Sequence, residues 1–109
     1  MSIVMKDCPA IWVQNTATTL YIGVAATEAT IVSIIFTNDD TSDHTIDLEY
    51  YDSSAVDTLP IGDKALTIPA GESVVFDIPI FVKATGDIVQ ATADTNDMVS
   101  AKANVYEKT

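Results

Sequence analysis

The chain has 109 residues, 48% of them apolar, and its five lysines against sixteen aspartates and glutamates, with no arginine, give a net charge of −11. That length makes one domain, and that charge repels a phosphate backbone or an anionic membrane surface, which argues against nucleic acid and membrane as partners. One cysteine, Cys8, leaves no internal disulfide, and with a single histidine, His44, there is no ligand set for zinc.

Residues 1–9 read as an N-terminal arm or a first edge strand, followed by a single domain over 10–109. Ile3, Val4 and Met5 are apolar, and Pro9 stops a ladder locally. No long apolar run or signal peptide is visible, so synthesis in the cytoplasm is expected. Ala10–Asn15 is a short strand, and Leu20, Tyr21, Ile22 and Val24 mark the next. Ala25–Ala29 is a bend. Thr30–Thr37 is a strong strand whose Ile31, Val32, Ile34, Ile35 and Phe36 leave little polar face, so both sides should be covered, as in a central strand or a subunit contact. Asn38–His44 is a polar loop of turn-forming residues. Thr45–Tyr51 alternates, with Ile46, Leu48 and Tyr50 on one side, as a half-exposed antiparallel strand does.

Asp52–Lys64 reads as a connection. The stretch Ala65–Ala93 then runs strand, turn, strand, turn, strand. In its middle, Val74, Phe76, Ile78, Ile80 and Val82 recur every second residue, the period of a strand with one buried face. Pro69-Ala70-Gly71 and Gly86-Asp87 punctuate it. The last strand, Met98–Tyr106, puts Val99, Ala101, Ala103 and Val105 on one face. About eight strands, separated by turns every 8–12 residues and rich in Val, Ile and Thr, predict an all-β antiparallel β-sandwich, jelly-roll or immunoglobulin-like in topology.

No stretch carries visible catalytic chemistry. His44 reads as a solvated loop residue without a nucleophile-elbow motif near it, and the chain is not expected to be an enzyme. The Asp and Asn residues at 38–43 and 94–97 offer oxygen ligands for calcium, but neither run fits an EF-hand and both suit turns; neither metal nor cofactor is expected. Trp12, Tyr21, Tyr50, Tyr51 and Tyr106 are candidates for a sugar-binding platform, against the commoner role of such residues in cores and interfaces. Phe81 lies off the parity of its apolar run, beside Pro79. With Val75 it points to an exposed apolar patch and a protein contact.

The phrases TTLYIGVAATEATIVSIIFTNDDTSDHTIDLEYYD, ALTIPAGESVVFD and GDIVQATADTNDMVSAKANVYE resemble a recurring pattern in small virion structural proteins of tailed bacteriophages, over roughly residues 18–107. The pattern differs at Gly23–Ala26, where Pro-Ala-Gly would be usual. The resemblance implies a small β-sandwich on the virion, of the capsid decoration (cement) or head-tail type, with no catalytic residues to carry over. On that footing the expected function is a decoration protein. It would bind the outer surface of the capsid, with the major capsid protein and copies of itself, as a homotrimer, for partners. Expected contact residues are Ile3, Val4, Met5 and Trp12 near the N-terminus, with Val75 and Phe81. The alternatives are a tail, neck or head-fibre component, and a carbohydrate-binding adhesion module.

Overall fold

The structure is a computed structural model and describes residues 2–109; Met1 of the expected arm lies outside the described residues. Eleven β-segments follow one another: β1 Ile3–Lys6, β2 Ile11–Val13, β3 Thr18–Ile22, β4 Glu28–Asn38, β5 His44–Asp52, β6 Asp57–Pro60, β7 Leu66–Ile68, β8 Ser73–Phe76, β9 Ile80–Val82, β10 Ile88–Ala93 and β11 Val99–Lys108. They form two antiparallel sheets. In the first, β11 pairs with β4, β1 and β2 lie along the free side of β11, and β8 and β9 lie along the free side of β4. In the second the order is β3, β10, β5, with β6 and β7 both along the outer side of β5.

The difference between eleven segments and the eight expected has a simple cause. Three positions are each filled by two short segments in line, interrupted where the chain cannot donate to a ladder or must turn. Asp7–Ala10, with Pro9, divides β1 from β2. Asp77–Pro79 divides β8 from β9, and residues 61–65 divide β6 from β7. Proline lacks the N–H that a ladder needs. Counted by position, each sheet is four strands wide. All connections pass from one sheet to the other, except those within a divided position and the β5–β6 hairpin.

The inward faces supply the core. From the first sheet come Ile31, Ile34 and Phe36 of β4 and Val99, Ala101, Ala103 and Val105 of β11. From the second come Ile46 and Leu48 of β5, Val89, Ala91 and Ala93 of β10, and Ile68 of β7. The expected alternation of β11 and β5 is seen in these positions. Three other expectations change. The β4 run is apolar on both parities because of a β-bulge: Ser33 pairs with Asn104 and Ile31 with Val105, leaving Val32 without an opposite residue. The inward set therefore shifts from odd numbers (Ala29, Ile31) to even ones (Ile34, Phe36, Asn38). The Val74–Val82 alternation is not one strand. Pro79 lies in the break, and Ile78 is 61% exposed rather than buried. Finally, the expected connection 52–64 contains β6, an edge segment with all four residues exposed and therefore no apolar alternation to announce it.

Gly23 is fixed by close approach. A Cβ there would stand 2.3 Å from the Ala84 carbonyl oxygen. Its N–H donates to the Asp87 carbonyl and its own carbonyl accepts from Gly86, so the β3–β4 and β9–β10 connections are held together at this point.

Candidate functional site

The contact residues expected from sequence converge. Successive strand residues point to opposite faces. Because Val99, Ala101, Ala103 and Val105 point inward, Ser100, Lys102, Asn104, Tyr106 and Lys108 point outward. Residues opposite one another in a ladder share a face. Ile3 pairs with Lys108, Met5 with Tyr106, and Trp12 with Ser100. Val75 pairs with Ile35, and Phe81 with Thr30. Five of the six expected residues thus lie on the outer face of the first sheet, with exposures from 44% at Trp12 to 67% at Ile3. The sixth, Val4, pairs with Glu107 and has the opposite parity.

Tyr106, Ile35 and the bulged Val32 extend this apolar surface across β11 and β4. The sequence offers Tyr106 only for an aromatic platform, and offers Ile35 and Val32 for a central strand or a subunit contact without linking them to Val75 and Phe81. The exposure of Val32 follows from the bulge, which the sequence does not announce.

The charges on this face are few. Its outward ladder positions carry Glu28, Lys102 and Lys108, a balance of +1 in a chain of −11. Lys102 is tied down, its ammonium donating to the Cys8 carbonyl. Cys8 itself is buried, and that burial pushes its thiol up from the ordinary value. Thr37 and Ser73, and Asn104 and Ser33, pair through their side chains at 2.8 Å in each case, so the polar residues between the apolar ones are largely satisfied. Such a surface loses little on desolvation and gains from covering its apolar part.

The aromatic platform expected as an alternative does not assemble. Tyr21 is buried and donates its hydroxyl to Glu107 Oε2 at 2.5 Å. Tyr50 turns inward and donates to Asp87 Oδ2 at 2.6 Å. Burial, together with the bond to a carboxylate, raises the pKa of both phenols. Tyr51 faces out of the second sheet, away from Trp12 and Tyr106. Asp87, expected as a turn marker, is a buried acid. It accepts from Tyr50 and from the Ser53 backbone N–H and hydroxyl, and the Tyr50 bond leads in holding its pKa below the ordinary value.

Asp and Asn side chains of the two polar runs are tied into the surrounding chain. Asn38 is buried; its amide donates to the Ser42 and Ile68 carbonyls, and its Oδ1 accepts from Asp40 N–H. Asp43 accepts from Ala70 N–H, Asp97 from the Gln14 side chain, and Asn96 from Asn15 N–H. The two acidic loops are thus fastened to their neighbours as turns are. Among the described residues no group of three or more His, Cys, Asp or Glu side chains is placed to hold a metal ion. His44 differs from its expected role: it sits at the start of β5, largely buried, with both ring nitrogens against carboxylates.

A cleft of about 280 Å³ opens along one flank of the sandwich, where Pro9 and Ile11 face Leu20 and Ile22 across the gap between the β1–β2 and β3 edges. The Tyr21–Glu107 pair stands in its wall, already joined to each other. Comparison of the chain with protein-family models, with curated proteins and with solved structures found no match.

Proposed function

We propose that this chain is a virion structural protein that decorates the outer capsid surface, and that it docks on the major capsid protein through the outer face of its first sheet. The observation that carries the reading is the convergence of Ile3, Met5, Trp12, Val75 and Phe81 on one face that is nearly free of acid. A monomer gains nothing from keeping such a patch in water, and exposed apolar patches of this kind mark interaction sites. A specific contact needs about 1,200 Å² or more in total, so copies of the chain around a symmetry axis, a homotrimer first, would share the docking surface with the capsid. Function here is burial of surface, with no chemical step.

The strand order supports the class. Numbered by position, the sheets run 1-8-3-6 and 2-7-4-5. That interleaving favours the jelly-roll form of the sandwich over the immunoglobulin-like one, and jelly rolls serve viral capsid proteins and lectins among others. Fold alone does not assign function; the resemblance of residues 18–107 to phage structural proteins is what favours the virion. The exposed Trp12 and Tyr106 favour a second reading, a carbohydrate-binding module using the same face.

Copy number in purified particles, measured by quantitative mass spectrometry against the major capsid protein, tests the proposal. A ratio near one to one, or a simple fraction set by the lattice, is expected. A handful of copies would move the protein to the tail or neck. Absence from particles would overturn the virion reading, and quenching of Trp12 fluorescence by a glycan would then favour the adhesion module.

A further inference from the structure

We infer that His44 is a proton-controlled latch that fastens the loop 39–43 to the turn 94–97 at one end of the sandwich. Its Nε2 stands 2.8 Å from Asp40 Oδ2 and its Nδ1 stands 2.9 Å from Asp94 Oδ1. Carboxylates only accept, so both contacts are hydrogen bonds only if both ring nitrogens carry a proton. The imidazolium satisfies that condition. A neutral imidazole has one N–H, and its bare nitrogen would face a carboxylate lone pair. The two carboxylates meet different ring nitrogens, and among the described residues they form no group with His44 that could hold a metal ion in place of the proton.

The surroundings leave His44 as the cation of this end. The loop on the β4 side brings Asp39, Asp40 and Asp43; the turn after β10 brings Asp94 and Asp97; the turn between β7 and β8 brings Glu72. β7 meets His44 with Ile68, and the loop 14–17 contributes Gln14 and Asn15, all uncharged. No lysine lies in these connections. Each arm of the latch is seated by its own backbone. Asp40 N–H donates to Asn38 Oδ1, its Oδ1 accepts from Thr41 N–H, and Asp94 N–H donates to the Thr45 carbonyl. Loss of the proton would therefore free two positioned carboxylates that repel one another in a field of four more.

The direction of the effect follows from linkage. The bond to Asp40 leads in raising the His44 pKa above 6.5; desolvation opposes it, and the bond to Asp94 and the charges of both carboxylates add to the rise. The same bond lowers that of Asp40 below 3.8. A group with a raised folded pKa contributes fully below its unfolded value and loses the contribution as pH rises through the folded one. Asp40 contributes above its unfolded value and loses its part as pH falls through its folded one. The latch is closed between those limits and opens on the alkaline side.

His44 is the single histidine of the chain, so its ring resonances in an NMR pH titration are unambiguous. The test pairs that titration with amide hydrogen exchange at residues 39–43 and 94–97, corrected for intrinsic base catalysis. The expected result is a midpoint above 6.5, with both segments losing protection together across it. In Asp94→Asn the midpoint should fall, and in His44→Gln the pH-dependent step in protection should vanish while the core strands stay protected. A midpoint at or below 6.5, a response from only one segment, or an unchanged step in His44→Gln would overturn the latch.

Discussion

The two outer faces of this sandwich enclose the same core but present different surfaces. The outward positions of β1, β2, β4, β8, β9 and β11 carry Ile3, Met5, Trp12, Ile35, Val75, Phe81 and Tyr106 among hydroxyl and amide residues, with one acid and two lysines. Those of β3, β5, β6, β7 and β10 carry Thr19, Thr45, Asp47, Glu49, Thr58, Thr67, Gln90 and Thr92, with apolar side chains confined to Ile22, Ile88, Tyr51 and Pro60. Folding requires an apolar inner face from each sheet and is indifferent to how apolar residues are shared between the outer ones. Their unequal distribution points to what the protein meets. The acid-poor face is fit to be covered, and the acidic loops and the second sheet keep the free chain soluble.

Substitutions can break this contrast or sharpen it. Phe36→Ala abolishes it by attacking the shared core. Removing a fully buried ring should cost about 3–5 kcal/mol, seen as a large fall in the denaturant midpoint, and both faces would be lost together. Next is a change confined to the face proposed to dock. Phe81→Asp combined with Val75→Lys should weaken particle binding ~100-fold, about 2.7 kcal/mol, while leaving the melting temperature nearly unchanged. The matched change on the opposite face, Glu49→Gln, should alter neither binding nor stability by more than about 0.5 kcal/mol. Equal losses from the two faces would remove the distinction.

Two further outcomes concern the interior. Asp87→Ala leaves the Tyr50 hydroxyl and Ser53 N–H without their acceptor and should cost about 2–3 kcal/mol. The folded pKa of Asp87 is depressed, led by the Tyr50 bond. Its contribution is therefore present above the ordinary value of 3.8 and is lost as pH falls through the folded one. Thermal melts between pH 6 and pH 2 should show an acid-side decline that is shallower in Asp87→Asn. In Gly23→Ala the new methyl meets the Ala84 carbonyl, and the loss should be about 1–3 kcal/mol, measured by chemical denaturation.

What was legible in the sequence was strict alternation. Val99–Val105 and Ile46–Tyr50 were readable because small or polar residues separate the inward ones. The outward Val75 and Phe81 were readable as residues off the parity of a run. The β4 face was not, because a bulge at Val32 shifts parity inside an unbroken apolar stretch. Ile78 kept the period of its neighbours and misled, since Pro79 ends the ladder there. Half of the His44 latch was in reach: Asp40 stands four residues before it. Asp94, fifty residues later, becomes its neighbour only through the pairing of β10 with β5. That Ile3, Met5 and Trp12 share a face with Val75 and Phe81, while Val4 does not, required the registers of β1, β2, β8 and β9, which no local pattern encodes.

The most direct test is oxidative footprinting of the protein on intact particles against the free protein. The account predicts strong protection of Met5, Trp12, Phe81 and Tyr106, with Tyr51 on the opposite face oxidised at its free rate. Equal reactivity of the first four in both states, protection of Tyr51 instead, or absence of the chain from particles would contradict it.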